Sequence, residues 1–212
     1  MRARRARDMH QLVLFDAGAS VLVDDARGRI DYASRFVAEP LASSWFAELR
    51  ARVSWEAERR WMYDRKVDVP RLTASFDLTP EAGGRVPAAI RLAAERVIAA
   101  TAAPFNSVGL NLYRDGRDSV APHNDHLDEL VSGFPIALLS LGATRRMTIR
   151  AKEPPRRVLH VDLEPGSLLT MSYATQLHYT HGVPKSAERV GERISLAFRV
   201  KPPREGRRGR YS

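Results

Sequence analysis

Hydrophobic positions change their period along this chain, and the changes mark its elements. Between Ala38 and Val53, the apolar residues Leu41, Trp45, Phe46, Leu49 and Val53 recur at helical spacing. That predicts an amphipathic helix, with Ser43 and Ser44 as candidate caps. Pro87 suits the first turn of a second helix, which Ile90, Leu92, Ala93, Val97 and Ile98 carry to about Thr101 before Pro104 ends it. Residues 12–23, apolar around a Gly turn, predict short strands, and 24–33 read as turn-rich and then extended. Residues 61–78 (WMYDRKVDVPRLTASFDL) hold two extended runs around Asp64, Arg65 and Lys66, as a hairpin would, with Met62 and Tyr63 near its tip. Those two side chains have two readings: core residues, which spacing alone favours, or an exposed wedge for a nucleic-acid duplex.

From Phe105 onward the pattern shortens to strand length. Strands are predicted at 106–113, 120–125, 135–141, 145–150, 157–162, 167–173, 176–181 and 193–200. Turn signals separate them at Asp115-Gly116, Gly133, Gly142, Pro154-Pro155, Pro165-Gly166 and Gly191. Many short strands at this spacing predict a sandwich or jelly roll, with the two earlier helices covering one sheet. The fold class expected is mainly β with flanking helices (α+β), with no internal repeat.

Composition narrows the chemistry. At 212 residues the chain fits one domain, and an apolar share of 44% is ordinary for a globular protein. It has no cysteine, so disulfides, thiolate nucleophiles and iron–sulfur clusters are excluded, and any metal site must use His, Asp and Glu. There is no Gly-x-Ser-x-Gly elbow and no P-loop. The net charge of +9 lies mostly in the tails: residues 1–8 hold four Arg and one Asp, and residues 201–212 hold five basic residues and one Glu. Such tails either bind polyanions without sequence preference or are simply solvated. The early apolar run is broken at Asp16 and no apolar stretch reaches twenty residues, so a cytoplasmic chain with no membrane partner is expected.

The candidate chemistry centres on NLYRDGRDSVAPHNDHLDEL, residues 111–130. In an extended backbone, residues two apart share a face, so His123 and Asp125 converge there. With a distant imidazole they would make a two-His, one-carboxylate facial triad, which leaves coordination positions open and suits Fe(II). His181 is the candidate third ligand; by strand parity His126 and His178 point away. A His-x-Asp pair by itself is a weak pattern, and a lone strand histidine is more often structural. The ensemble strengthens it, because Asn111 and Tyr113 precede the pair and Arg193 and Arg199 follow His181. Arg193 and Arg199 are six apart, on one face of a strand whose other face carries Ile194, Leu196 and Phe198. They read either as fixed charge for a dicarboxylate co-substrate or as two exposed arginines on an edge strand.

Together, FNSVGLNLYRDGRDSVAPHND, PIALLSLGATRRM, GSLLTM and THGVP…RISLAFR resemble the AlkB family of Fe(II)- and 2-oxoglutarate-dependent dioxygenases, in the family's order. The resemblance runs from about Phe105 to Val200 and more weakly back through VPRLTASFD. It implies a double-stranded β-helix (jelly roll) with N-terminal helices and a substrate-side hairpin. It implies one dioxygenase domain over 11–200, divided into a substrate-side extension (about 11–104) and a core (about 105–200). The basic tails, 1–10 and 201–212, flank that domain. It implies Fe(II) held by His123, Asp125 and His181, O2 as oxidant, and 2-oxoglutarate bound by Arg193 with Asn111, Tyr113, Ser195 and Arg199. The implied activity is oxidative dealkylation of N-alkylated bases in DNA or RNA, 1-methyladenine and 3-methylcytosine among them, by a monomer. Base flipping would bring the substrate to Met62, Tyr63, Arg71 and Phe76. Leu127 departs from the family's frequent acid at that position, with Asp128 or Glu129 as candidate substitutes. A protein or small-molecule substrate is the alternative, and a non-catalytic binding module is a third class that the intact triad argues against.

Overall fold

Alternation of apolar and polar residues gives a strand two different faces, and here the two faces of the central strands go to two different cores. A computed structural model of the chain describes residues 19–62, 65–80 and 86–203. Its strands are β1 (Ala19–Asp25), β2 (Gly28–Ala33), β3 (Glu56–Met62), β4 (Arg65–Asp77), β5 (Ser107–Tyr113), β6 (Val120–His123), β7 (Ile136–Gly142), β8 (Arg145–Ala151), β9 (Val158–Leu163), β10 (Leu168–Met171), β11 (Tyr179–Val183) and β12 (Arg193–Arg199). The helices are α1 (Glu39–Arg52), α2 (Ala88–Thr101) and α3 (Tyr173–His178).

Among the described residues the strands form two sheets. The larger runs β1-β2-β10-β7-β12-β5-β4-β3, and the smaller β6-β11-β8-β9. This is the jelly roll expected, open rather than closed into a barrel. Its long sheet continues into the β3–β4 hairpin, whose pairing runs out to Met62 opposite Arg65. No described helix is long and apolar enough to cross a membrane.

Ile194, Leu196 and Phe198 of β12 join Val108, Leu110 and Leu112 of β5 in the core beneath α1 and α2. Ala42, Trp45 and Leu49 supply the α1 side, and Ile90, Ala93 and Val97 the α2 side. The opposite face of the same strands, with Tyr113, Leu138 and Ala197, meets Met147, Ile149 and Val183 of the smaller sheet. At about 25 cal/mol per Å² of apolar surface, burial on both faces holds these strands firmly between the two cores.

Helix α1 starts with Glu39 and Pro40 and ends with Arg50 and Arg52, charges that suit its dipole. Ser43 is not a cap, since it lies inside the helix and its hydroxyl donates to Glu39 Oε1 at 2.7 Å.

Two predicted strands need correction. The 120–125 strand ends at His123, because the N–H of Asp125 turns to the side chain of Gln176 and residues 127–129 close a 3-10 turn. The 176–181 strand begins only at Tyr179, and residues 173–178 are helical. Thr175 N–H and its hydroxyl both bond to Ser172 O there, at 3.0 and 2.6 Å, which closes the first turn of α3. Tyr63 at the hairpin tip and residues 12–18 lie outside the described residues, as does nearly all of both basic tails.

Candidate active site

The antiparallel pairing of β6 and β11 sets His123 directly opposite His181, with ring centroids 4.5 Å apart. Asp125 reaches the same point from the loop after β6, and its Oδ1 lies 3.9 Å from His123 Nε2. One ligand atom from each of the three lies within 4.8 Å of the others. Strand parity does not place Asp125, since it lies beyond the strand; the parity argument for His178 fails likewise, because that residue ends α3.

The protonation states favour a metal. Burial, aided by His123, pushes His181 down to about 3 against the pull of Asp125, so its imidazole is neutral near pH 7 with a free lone pair. His123 Nδ1 lies 3.0 Å from Ala121 O. A carbonyl only accepts, so the proton belongs on Nδ1 and Nε2 is the ligand atom. Burial opposes the charge on Asp125, but Arg199 outweighs it and holds the carboxyl below its usual range. Arg199 Nε donates to Asp125 Oδ2 at 2.6 Å, which leaves Oδ1 for the metal. Gly109 makes room for that arginine: a Cβ there would lie 3.3 Å from Arg199 Nη1.

Beside these ligands a cavity of about 220 Å³ opens between the sheets, lined by Asn111, Tyr113, Arg193, Ser195 and Arg199 among others. Arg193 is 1% exposed, on a strand flanked by β7 and β5, so the edge-strand alternative does not hold. Its Nη2 donates to Ser140 Oγ at 2.8 Å, and its guanidinium lies 5.2 Å from the Tyr113 ring centre. Its Nε and Nη1 are buried without a partner. A buried guanidinium costs several kcal/mol unless an anion answers it. These open donors fit a carboxylate, and the His–Asp–His set fits a divalent metal that keeps open positions.

The remaining candidates are scattered. Arg71 lines the cavity, and its Nε donates to Asn111 Oδ1 at 2.6 Å. Phe76 is not among the residues that line it: half-buried, it packs with Leu72 against the helix-covered core. Met62 ends β3, where only its backbone is described. Leu127 and Asp128 lie in the 3-10 turn, half-buried and exposed, where one residue turns the side chain by about 120° rather than over to the opposite face.

Arg145 and Gln176 were not among the expected site residues. Arg145 is 3% exposed, lies 5.5 Å from the Tyr113 ring centre, and donates to the carbonyls of Asp115, Asp118 and Pro184. Its signal was present: it shares the inward register of β8 with Met147 and Ile149, where an arginine is out of place. Gln176 had no signal, since it acts from a helix that the pattern did not predict.

The profile of the 2OG-Fe(II) oxygenase superfamily matches residues 30–199. The DNA oxidative demethylase ALKBH2 of Bos taurus is 38% identical over 112 residues, covering 50% of this chain and 40% of the relative. The alpha-ketoglutarate-dependent dioxygenase alkB homolog 3 of Homo sapiens is 33% identical over 178 residues, covering 76% of this chain and 62% of the relative. An ALKBH2 of Arabidopsis thaliana is 34% identical over 120 residues, covering 45% of this chain and 38% of the relative. The chain thus spans less than two thirds of the length of each of these relatives.

Proposed function

As this chain belongs to the 2OG-Fe(II) oxygenase superfamily, on its AlkB-type side, we propose that it oxidatively removes N-alkyl groups from nucleobases in DNA or RNA, of the 1-methyladenine and 3-methylcytosine type. Its cofactors are those of the family: Fe(II), with 2-oxoglutarate and O2 as co-substrates. When bound, the metal supplies dioxygen activation. With 2-oxoglutarate as the reductant, decarboxylation to succinate and carbon dioxide would take up one oxygen atom of O2. The other would hydroxylate the alkyl carbon, and for a methyl group the N-hydroxymethyl product would release formaldehyde and free the base.

The chain's residues divide that work. His123 Nε2, Asp125 and His181 hold the metal on one side. Arg193 presents Nε and Nη1 to the distal carboxylate of 2-oxoglutarate, with Ser140 fixing the guanidinium and Tyr113 packed against it. Asn111 and Ser195 line the same cavity. Arg199 keeps Asp125 charged and oriented. Arg71, on the strand beside Asn111, faces the substrate side. The observation that carries the reading is the unanswered Arg193 in the same cavity as a His–Asp–His cluster. The name of the ALKBH2 relative, a DNA oxidative demethylase, supports nucleic acid as the substrate class. Nucleic acid is the working partner of a cytoplasmic monomer in this reading.

A protein or small-molecule substrate is the second reading. Leu127, in the 3-10 turn two residues after Asp125, favours it, because this position offers no carboxylate to a base's exocyclic amine. An aerobic assay with Fe(II), ascorbate and 2-oxoglutarate tests both. An oligonucleotide with a single 1-methyladenine or 3-methylcytosine should lose the mass of one methyl group, and Asp125→Ala should not support that loss. Succinate formation with an unchanged oligonucleotide mass would move the substrate to the second reading.

A further inference from the structure

Asp125 is a metal ligand outside any strand, so no ladder fixes its backbone. A side chain from 51 residues away does so instead: Asp125 N–H donates to Gln176 Oε1 at 3.0 Å. We propose that Gln176 is a positioning residue for the metal site, holding the Asp125 peptide so that Oδ1 faces the two histidines. The proposal rests on the metal-site reading above.

Gln176 is itself tightly placed. It is 1% exposed, and its Nε2 donates to Thr175 Oγ1 at 3.2 Å, which orients the amide with Oε1 toward Asp125. Thr175 has its own hydroxyl proton committed to Ser172 O. A helix of six residues has little stability by itself. Here α3 is held from outside. Lys152 Nζ donates to Gln176 O and Lys152 N–H to His178 O, both at 2.9 Å, satisfying carbonyls in its last turn.

On its other side the β1–β2 turn presses against its start. Gly28, at φ +120°, has no room for a Cβ, which would lie 2.6 Å from Ser172 Oγ and 2.8 Å from Thr175 Cγ2. Ser172 Oγ accepts the N–H of Arg29 at 2.9 Å. The route is therefore continuous from turn to helix to amide to ligand. Arg199 grips the carboxylate and Gln176 the peptide, and two points of attachment remove the rocking that one would allow.

The test uses Mn(II) as a probe that does not turn over, titrated into the full chain with 2-oxoglutarate present and followed by electron paramagnetic resonance. Gln176→Met keeps the side-chain length but removes the acceptor. It should weaken Mn(II) binding roughly 10- to 100-fold, as loss of an outer-shell partner does, with only a modest fall in the metal-free melting temperature from the one buried N–H left without an acceptor. Gln176→Glu keeps an oxygen in place and should restore most of the affinity. Unchanged Mn(II) binding in Gln176→Met overturns the proposal. So does equal weakening in both variants, which would mean that the amide only fills space. Failure of the parent chain to bind Mn(II) would instead remove the metal-site reading itself.

Discussion

Two buried guanidiniums lie near the same ring. Arg145 and Arg193 are each about as inaccessible as a core leucine, and each lies over Tyr113. Burial lowers the pKa of both, yet an arginine remains charged at any ordinary pH. They differ in what answers them. Arg145 gives its protons to three backbone carbonyls and ties the loop after β5 to the chain after β11. Arg193 has one serine hydroxyl and two buried nitrogens without partners. A satisfied buried charge is architecture, whereas one with open buried donors fits a carboxylate ligand.

The sharpest way to break the comparison is to replace each arginine with methionine and measure both co-substrate binding and stability. Arg193→Met strands the 2-oxoglutarate carboxylate that the arginine would meet. Losing one member of a buried pair costs about 3–5 kcal/mol, so 2-oxoglutarate affinity should fall by roughly 100-fold to several thousand-fold by titration calorimetry. The co-substrate-free protein should melt at the same temperature or higher, since an uncompensated charge has been removed. Arg145→Met should do the reverse. It leaves three carbonyls short of a donor, and the expected destabilisation is about 2–4 kcal/mol in denaturant unfolding, with the smaller change in co-substrate affinity. Equal loss of binding in both variants would erase the distinction.

The sequence carried one end of this contrast better than the other. Six-residue spacing and period-2 alternation in RISLAFR place Arg193 and Arg199 together, away from Ile194, Leu196 and Phe198, because a central strand buries both faces and its register is strict. The jelly roll was legible for the same reason, as were α1 and α2 from their apolar stripes. What could not be read was local geometry set by distant contacts. Nothing in THGVP or the residues before it announces that 173–178 will be a helix, since its ends are completed by Lys152 and by the turn at Gly28. Asp125 stands near the metal point for a reason different from the one its spacing suggests: a loop held by Gln176 and Arg199 rather than strand pleat. Strand parity does not sort the substrate-side candidates of β4: Arg71, Thr73 and Ala74 all line the cavity, while Phe76 packs against the helix-covered core.

The smallest effect concerns the loop that Arg145 holds. Burial opposes the charge on Asp118, but Arg114 outweighs it with a backbone and two guanidinium hydrogen bonds, keeping the carboxyl below its usual range. A depressed carboxylate stabilises the fold fully above its unfolded pKa, near 3.8, and loses that contribution as pH falls further toward its folded value. Asp118→Asn removes the charge at every pH. The melting-temperature gap between parent and variant should therefore be constant above about pH 4 and close as the pH is lowered beneath it. Because Arg114 is about half exposed, salt should shrink this gap. Arg193 has no carboxylate among the groups acting on it, so its side of the ring should contribute no such acid-sensitive step. A gap that widened toward low pH would mean that Asp118 is held neutral by burial instead, and that the Arg145 end is less completely satisfied than its hydrogen bonds indicate.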